Sequence, residues 1–351
     1  MSVKTVFILH KQGAPSHYVA LEALLSEHGI AVKYREFSIF TKLFKSLLTL
    51  DTKLFAKQLK NSFFILQLLT SKNKKVLLGI APFDRKLVKI SSYLKKHRVY
   101  YHTSWTVWDK TFHPNTKKNT EAVFQRWRHF LEEKAEHIFA VSETSKKGLL
   151  TNYHISEEKI SVVKHALAPD FIEIADIPKK QNSFIYYGRL LPEKGLSEML
   201  DYFSKKKKAS LTIIGSGKEA DVVQSFSKRF NNIHFQEFVN DKSTLREIIA
   251  SHQYLILNSK KTKKWEELFG LVIIESMSQG LIPIASAHSG PKEIIEEDFG
   301  FLFKENELPE TLDRVLSGSH DTETMGQKAI ENSRNYTVES IKKRWKAILN
   351  Q

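Results

Sequence analysis

Two carboxylates within one apolar stretch are the first candidates for chemistry. The segment WEELFGLVIIESMSQG, residues 265–280, carries Glu267 just before the helical pattern that begins at Gly270, and Glu275 inside that pattern. A carboxylate in an apolar helix is costly unless a hydrogen-bonding partner or a polar ligand stabilises it. We therefore expect Glu267 and Glu275 to border one elongated ligand, with Glu275 binding a diol such as a ribose.

Two cations follow another apolar run. In YYGRLLPEKG, residues 186–195, Arg189 and Lys194 lie on the loop that leaves a predicted strand, just after Gly188. Such a pair suits a diphosphate, because Arg binds phosphate oxygens as a fork and Lys binds them as a point charge. The alternative is that both are ordinary surface charges of a connecting loop.

Glycines and polar residues at other predicted strand ends complete the set. IIGSGK places Gly215 and Gly217 between a strand and a helix, where the backbone either approaches a ligand closely or only makes a tight turn. Asn258 follows the run YLIL and either faces a ligand or caps the next segment. The first amides of the helix that begins at Gly270 favour negative charge because they add to the helix dipole.

A parallel sheet would bring these strand ends together. Twelve short apolar runs alternate with helical patterns, which predicts buried parallel strands joined by right-handed crossovers. The pattern restarts near residue 181, so we predict an α/β protein with two Rossmann-like domains that face each other across a cleft. The predicted strands are 3–9, 32–36, 76–81, 99–103, 137–141, 160–164, 183–188, 210–215, 233–235, 254–258, 282–285 and 300–303.

The order and spacing of the motifs resemble one enzyme family. From about Phe184 to Phe303, the chain is similar to the donor-binding half of the retaining GT-B fold glycosyltransferases with a Glu, seven residues, Glu signature. That family is also described as family 4, or glycosyl transferases group 1. The signature residues here are Glu267 and Glu275, and the segments that carry the resemblance are GRLLPEKG, IIGSG, EELFGLVIIESMSQGLIPIAS and SGPKEIIEEDFGFLF.

The resemblance assigns roles to these residues. It implies that Arg189 and Lys194 hold the diphosphate of a nucleotide sugar, that Glu267 contacts the donor sugar and that Glu275 holds the nucleotide ribose. Further donor contacts are implied for the other residues of the same loops, namely Gly188, Gly215, Gly217, Asn258, Phe269, Gly270 and Leu271.

The first half resembles the family less closely. IFAVSET, residues 138–144, and EKISVV, residues 158–163, are similar to its closing section, but KHALA at 164–168 replaces an Asn-Gly-Val-Asp turn. The glycine-rich loop after the first strand is reduced to Gln12-Gly13-Ala14, with Gly13 as the expected ligand contact. His102 stands where the family often has a histidine facing the donor sugar; the alternative is a core or surface histidine.

The resemblance also implies that the two domains bind different substrates. We predict an acceptor-binding domain over residues 1–180 and a donor-binding domain over residues 181–335. Residues 172–182 form a polar stretch that suits a linker. We expect the last helix, within residues 336–351, to pack back on the first domain.

The charge is distributed unevenly between the two halves. The net charge is +15; residues 1–180 hold 30 Lys and Arg against 16 Asp and Glu, whereas residues 181–351 hold 24 against 23. This asymmetry predicts an anionic partner for the first half, although a soluble lysine-rich surface is the alternative.

Residues 38–70 are basic and amphipathic. They interleave Phe and Leu with five lysines and a single acid, a pattern typical of helices at an anionic bilayer surface. The alternative is two ordinary helices with a solvated lysine face. The absence of cysteine and of any apolar run long enough to be a signal peptide or to span a membrane predicts a cytoplasmic protein. Contact of the basic segment with an anionic bilayer would place the protein on the inner face of the plasma membrane.

The resulting hypothesis is transfer of a sugar, with retention, from a UDP- or GDP-linked donor to an acceptor hydroxyl. The acceptor would be a glycan or a lipid-linked glycan of bacterial cell-surface polysaccharide, lipopolysaccharide or glycolipid synthesis. No metal is expected, since no Asp-x-Asp signature is present. No nucleic acid is expected, since the chain lacks a recognition motif, and no cofactor is expected beside the donor substrate. Two rival functions are a nucleotide-sugar epimerase or hydrolase on the same fold, and a non-catalytic protein that binds anionic polymers.

Overall fold

The chain forms two units, each built around its own sheet. The computed structural model describes residues 4–11, 15–114 and 120–350. Unit 1 comprises Met1–Ala166 and Ile341–Gln351, and unit 2 comprises Leu167–Ser340. Each unit holds a six-stranded parallel sheet, so the predicted α/β fold with two Rossmann-like domains is confirmed.

The sheet of unit 1 has the strand order β2-β1-β3-β4-β5-β6. Its central strands are apolar on both faces because helices cover both faces, which explains the continuous apolar runs of the sequence. The strands are β1 (Thr5–His10), β2 (Ala31–Glu36), β3 (Lys75–Gly79), β4 (Arg98–Thr103), β5 (Ala135–Ala140) and β6 (Ile160–Val162).

The helices of unit 1 connect these strands in chain order. Two of them, α2 and α3, form the segment predicted to be amphipathic, and α3 begins at the N-cap Asp51, which accepts a hydrogen bond from the Leu54 amide. Among the described residues, no helix is both long and apolar enough to span a bilayer. The helices are α1 (Val19–Glu27), α2 (Ile39–Leu48), α3 (Thr52–Thr70), α4 (Lys86–Tyr93), α5 (Glu121–His129) and α6 (Glu143–Asn152).

The sheet of unit 2 has the strand order β12-β11-β10-β7-β8-β9. Its strands are β7 (Ser183–Arg189), β8 (Ser210–Ser216), β9 (Ile233–Gln236), β10 (Tyr254–Leu257), β11 (Ile282–Ser286) and β12 (Phe301–Phe303). Its helices are α7 (Leu196–Lys205), α8 (Ala220–Arg229), α9 (Lys242–Ala250), α10 (Leu271–Ser278), α11 (Leu308–Leu316) and α12 (Thr322–Ser333), and α13 (Val338–Lys342) runs across the unit boundary.

The boundary between the units differs from the one predicted at residue 180. Residues 167–180 contact unit 2: the Leu167 amide donates to the carbonyl of Tyr336 at 2.7 Å. Lys179 also donates to the carbonyls that end two helices of unit 2, including that of Gln279 at 2.8 Å. The polar stretch predicted to be a linker is therefore held in unit 2 by hydrogen bonds that its composition does not reveal.

The predicted C-terminal segment, residues 336–351, is divided between the units. Residues up to Ser340 lie in unit 2, and the remainder lies in unit 1. There the buried ring of Trp345 packs on Phe139, with ring centroids 4.5 Å apart. Lys75, at the start of β3, donates to the carbonyls of Ile348, Leu349 and Asn350 and so caps the last helical turn.

Candidate active site

The candidate residues of unit 2 lie where the strand order reverses. The chain runs from β7 outward through β8 and β9, then returns to the other side of β7 with β10, β11 and β12. The switch point is therefore the gap between β7 and β10 at their carboxyl ends, the usual ligand site of such sheets. Arg189 ends β7 there, and Asn258 and Ser259 follow β10.

Close packing of the loops that leave β7 and β8 explains why residues 215 and 217 are glycines. A Cβ at Gly215 would lie 1.9 Å from the carbonyl oxygen of Gly188, and one at Gly217 would lie 2.3 Å from that of Leu190. The loops that leave β7 and β8 thus touch backbone to backbone at residues where a side chain would not fit. Gly188 is exposed beside them, and the predicted approach of a ligand to these glycines stays a prediction.

Lys194 and Glu267, predicted to bind different parts of one donor, contact each other. The Lys194 ammonium lies 2.6 Å from Glu267 Oε2 and 4.4 Å from the ring centroid of Trp265, and Ser259 Oγ donates to the same carboxylate oxygen at 3.2 Å. The Lys194 and Glu267 side chains are only 10% and 16% exposed. A diphosphate that binds Lys194 must therefore share it with Glu267 or displace that carboxylate.

Arg189 lies in the same neighbourhood but is exposed. Burial is the main cause of the raised pKa of the nearby Tyr186 hydroxyl. The charge of Glu267 raises this pKa further and the charge of Arg189 lowers it, so both charged groups lie near the hydroxyl. Tyr186 donates to the carbonyl of Arg189 at 2.7 Å, which fixes the backbone that carries the guanidinium. Within the described part of the chain, Arg189 forms no ion pair, so its guanidinium is available to an anion.

Asn258 is a structural residue of the loop. Its amide nitrogen donates to the carbonyl of Gly195 at 3.0 Å and to the carboxylate of Glu198 at 2.8 Å. It is fully buried, and both of its amide hydrogens are used within the protein. Asn258 thereby ties the 3-10 turn that carries Lys194 to the end of β10; its predicted contact with a donor stays a prediction.

A histidine and a glutamate that sequence reasoning missed orient Glu267. The Glu267 amide donates to Nδ1 of His288 at 3.0 Å, so Nε2 carries the proton and donates to Glu305 at 2.9 Å. His288 follows β11 at the same edge of the sheet, and this strand-end position was the signal that could have revealed it. Nothing in the sequence pattern marks Glu305, which lies beyond β12.

The helix α10 begins as the sequence predicts. Gly270 is its N-cap in the left-handed region, with φ 94°. Leu271 is the first helical residue, and Phe269 is buried against the ring of Tyr336 at 6.1 Å. The first amides of α10, which follow directly on Glu267 to Phe269 in sequence, form a partly positive helix end suited to an anion.

Glu275 is buried in α10 and shares its environment with a tyrosine. Tyr187 donates to Glu275 Oε2 at 3.3 Å, and the same hydroxyl lies 2.9 Å from the carbonyl of Val272. Burial raises the pKa of the Glu275 carboxyl from 4.5 to about 6, partly offset by the charge of Lys242 and the bond from Tyr187. Contacts within the protein thus offset only part of the cost of burying this carboxylate, as expected for a group that binds a ligand.

Two predicted site residues belong to unit 1. His102 is the second-last residue of β4 and lies at the carboxyl edge of that sheet. Its side chain is buried, and its Nδ1 lies 3.1 Å from the Tyr18 hydroxyl. Its burial lowers its pKa to about 3, so it is neutral at physiological pH. Gly13 lies outside the described residues. The predicted roles of both residues stay predictions.

The comparisons with known proteins agree with this geometry. Residues 169–335 match the sequence profile of glycosyl transferases group 1. The amylovoran biosynthesis glycosyltransferase AmsD of Erwinia amylovora is 29% identical over 178 residues, 49% of this chain and 49% of that protein. The O-antigen biosynthesis glycosyltransferase WbnH of Escherichia coli is 25% identical over 219 residues, 60% of this chain and 59% of that protein. The chain thus matches about half the length of these curated relatives.

Solved structures resemble the whole chain. HepE of Anabaena, in complex with UDP, superposes with a TM-score of 0.65 at 18% identity and covers 98% of this chain and 99% of its own. The lipopolysaccharide outer core galactosyltransferase WaaB superposes with a TM-score of 0.62 at 19% identity, with the same coverage. The chain therefore has the fold of GT-B glycosyltransferases. Its segment 169–335 is similar in sequence to glycosyl transferases group 1, in agreement with the resemblance drawn from the motifs.

Proposed function

We propose that the protein is a retaining glycosyltransferase that moves a sugar from a nucleotide-diphosphate sugar to an acceptor hydroxyl. The observation that carries this proposal is the convergence of Arg189, Lys194 and Glu267 at the switch point of the unit 2 sheet. The two cations can bind the diphosphate of such a donor, and the carboxylate can accept hydrogen bonds from its sugar.

The names of similar proteins support a role in cell-surface glycan synthesis. AmsD acts in amylovoran biosynthesis and WbnH in O-antigen biosynthesis by their names. HepE structures contain UDP and, in another complex, UDP-glucose, so a uridine diphosphate sugar is the first donor to test. We propose that the acceptor belongs to a surface polysaccharide, a lipopolysaccharide or a glycolipid.

The proposed chemistry breaks the bond between the sugar carbon and the diphosphate oxygen and forms a bond to the acceptor oxygen on the same face. The acceptor proton passes to the leaving phosphate. Negative charge grows on the diphosphate as it leaves, and the proposal assigns its stabilisation to Arg189, Lys194 and the first amides of α10. The pair formed by Lys194 and Glu267 then rearranges so that Lys194 meets the phosphate and Glu267 meets the sugar hydroxyls.

Replacement of Arg189 tests the proposal. Arg189→Ala should lower turnover about 10²-fold, as expected for loss of one contact to developing charge. The measurement is release of UDP from a panel of UDP-sugars with candidate glycan acceptors. Arg229→Ala removes an exposed arginine from the end of α8 and serves as the matched control. A wild-type rate in Arg189→Ala would refute the role of Arg189, and product from donor alone would favour the hydrolase or epimerase.

We further propose that α2 and α3 rest on an anionic bilayer at the inner face of the plasma membrane. In the described part of the chain, these helices and their connection hold eight exposed large apolar side chains. These are Phe44, Leu47, Leu48, Leu50, Leu59, Phe63, Leu66 and Leu69, each at least 49% exposed. An apolar surface of this kind is rare on a protein that meets only water.

The structure separates the lysines of this segment into two groups. Lys42 and Lys57 pair with the buried carboxylate of Glu36 at 2.7 and 2.8 Å, so they fix α2 and α3 to the end of β2. Lys45, Lys53 and Lys60 are exposed, and among the described residues they form no ion pair. These three lysines lie on the same two helices as the apolar side chains, and their charge complements that of anionic lipid headgroups.

Charge reversal of the exposed group tests the membrane contact. Lys45→Glu, Lys53→Glu and Lys60→Glu combined should abolish flotation with vesicles that contain phosphatidylglycerol, while UDP binding stays unchanged. The control combines Lys72→Glu, Lys95→Glu and Lys96→Glu, which change the net charge equally at exposed lysines elsewhere in unit 1. Equal flotation of the first variant and the control would remove the membrane proposal.

A further inference from the structure

A cavity lined by cations lies at the amino edge of the unit 1 sheet, the edge opposite to that of His102. It has a volume of about 1200 Å³ and lies among the first residues of β1, β2, β3 and β4 and the last turn of α3. None of the described residues that line it is acidic. Its five cationic side chains are Lys4, Lys33, Lys74, Lys75 and Arg98, and we call it the basic cavity.

Two of the five cations have a structural role. Lys75 donates to three consecutive carbonyls that end at Asn350, at distances of 2.8 to 3.3 Å. Arg98 pairs with Glu136 at 2.7 Å and donates to the carbonyl of Asn350 at 2.9 Å. Cations stabilise such a helix end because its free carbonyls carry partial negative charge. The fold thus explains Lys75 and Arg98, but not the other three cations.

The remaining cations, Lys4, Lys33 and Lys74, are not engaged in this way. In the part of the chain that the structure describes, their ammonium groups form neither an ion pair nor a hydrogen bond. The Lys74 ammonium lies 5.5 Å from the centroid of the Phe7 ring. Lys4 and Lys33 are exposed, and Lys74 is half-buried. Three ammonium groups are therefore free to donate to a ligand.

The cations of the basic cavity lie close enough to repel one another. Burial is the main cause of the lowered pKa of Lys75, and the charges of Arg98 and Lys4 lower this pKa further, while Glu136 raises it. An anion in the cavity would relieve the repulsion, because it favours the charged form of each nearby ammonium group.

The composition of the cavity wall indicates the kind of anion. A phosphomonoester carries about two negative charges at neutral pH and three acceptor oxygens, which three ammonium groups can satisfy. The wall also contains the apolar residues Val6, Phe7, Ile30 and Leu349. The group that carries the phosphate can therefore be partly apolar.

The basic cavity adjoins the exposed apolar side chains of α3. Gln67 lines the cavity, and its neighbours Leu66 and Leu69 are 58% and 50% exposed. Both leucines belong to the apolar set proposed above to rest on a bilayer. A phosphate in the cavity could thus belong to a lipid whose acyl chains lie in that bilayer.

We infer that the basic cavity is a binding site for a phosphomonoester, held by Lys4, Lys33 and Lys74. Two sources share this chemistry, namely the headgroup of phosphatidate in a bilayer and a soluble compound such as glycerol 3-phosphate. The inference does not rest on the proposed transferase function, because all the residues that line the cavity belong to unit 1.

Calorimetric titration with glycerol 3-phosphate near neutral pH and at low salt tests the soluble source. Lys33→Gln combined with Lys74→Gln should weaken binding about tenfold or more, because each lost ammonium group removes a charge-assisted hydrogen bond. The control combines Lys89→Gln and Lys147→Gln, at exposed lysines of α4 and α6. It changes the net charge equally and should leave the affinity unchanged.

Vesicle flotation tests the lipid source. Phosphatidylcholine vesicles that contain phosphatidate are compared with vesicles that contain phosphatidylglycerol, a phosphodiester, at the same surface charge. The wild-type protein should float more completely with phosphatidate. The variant with Lys33→Gln and Lys74→Gln should lose this preference and float with phosphatidylglycerol as the wild-type protein does, because its α2 and α3 are unchanged.

The outcomes separate the two sources from each other and from the proposed function. Binding of glycerol 3-phosphate in solution assigns a soluble ligand, and a preference seen only with phosphatidate vesicles assigns a lipid. The inference is wrong if the wild-type protein shows neither, if the cavity variant matches the wild-type protein, or if saturating UDP displaces glycerol 3-phosphate. UDP binding, measured by thermal shift, should be equal in the wild-type protein and both variants. Failure of the wild-type protein to bind UDP or UDP-sugars would refute the proposed function and leave this inference standing.

Discussion

At the scale of single residues, the site holds charges that the protein alone satisfies incompletely. Lys194 and Glu267 neutralise each other while Arg189 stays exposed, and Glu275 is buried beside the Tyr187 hydroxyl at a distance of 3.3 Å. Such partly compensated groups reduce stability and are typical of ligand sites. Their cost can be measured at Glu275, where burial is nearly complete.

The stability contribution of Glu275 should depend on pH in a defined direction. Because its pKa rises from 4.5 to about 6 on folding, its contribution is fully present below pH 4.5 and is lost as pH rises through about 6. Glu275→Gln mimics the protonated carboxyl and should raise the free energy of unfolding by about 2 kcal/mol near pH 7. Urea denaturation across this pH range measures the difference.

Two further observations make this prediction specific. The gain should shrink to nothing below pH 4.5, and Glu297→Gln, at an exposed glutamate, should show no gain at any pH. Under the proposed function, the same Glu275→Gln variant should bind UDP more weakly, because the amide cannot accept two hydrogen bonds from a ribose diol as a carboxylate can. A destabilised Glu275→Gln near pH 7 would contradict the account.

At the scale of elements, the loops at the switch point of unit 2 are fixed by backbone contacts. Gly195, with φ 62°, ends the turn that carries Lys194, and a Cβ there would lie 2.4 Å from the carbonyl oxygen of Asn258. The strand end, the turn and the ligand-binding cation are thus one packed unit. The prediction of a ligand site at this edge depends on that packing as much as on the charges.

Alanine at Gly195 should disturb the site more than backbone strain alone explains. Gly195→Ala and Gly318→Ala both place alanine in the left-handed region, at a cost of about 1–2 kcal/mol each. A Cβ at Gly318 would meet no atom within 4 Å, so only Gly195→Ala should lose further stability and UDP affinity. Equal losses of stability for the two variants in urea denaturation would show that Asn258 moves aside without cost when Gly195 is replaced.

At the scale of the whole molecule, the chain leaves unit 1 after Ala166 and returns to it at Ile341. The return segment completes unit 1 through Trp345, which is buried against Phe139 and His102, and through the carbonyls capped by Lys75. A cavity of about 1200 Å³ at the amino edge of the unit 1 sheet is lined by Lys4, Lys33, Lys74, Lys75 and Arg98, and further lysines lie on α2 and α3.

Removal of the Trp345 ring should destabilise unit 1 selectively. Trp345→Ala empties a fully buried position and should cost about 3–5 kcal/mol. Hydrogen exchange should then accelerate in β4 and β5, which contact the ring or its neighbours, while β7 and β8 of unit 2 keep their protection. Equal acceleration in both units would show that they unfold together, and unchanged exchange would show that the segment contributes little to unit 1.

Local sequence patterns were enough to predict the fold class and most of the candidate site residues. The twelve apolar runs became the twelve strands, because a buried parallel strand requires a continuous apolar run and little else. The strand-end positions of Arg189, Lys194 and Asn258 followed, because parallel strands end at one edge. The helix start at Gly270 was visible because only glycine adopts its φ of 94° without strain.

Which of these residues contact one another could not be predicted from local patterns and is visible in the folded chain alone. Lys194 contacts Glu267, and His288 accepts from the Glu267 amide and donates to Glu305. These contacts join residues that are far apart in the sequence. Residues 167–180 lie in unit 2 for the same reason, since they bond to carbonyls that are distant in the sequence. Local patterns record backbone conformation and burial, whereas pairing across a fold depends on strand order and loop packing, which no local pattern encodes.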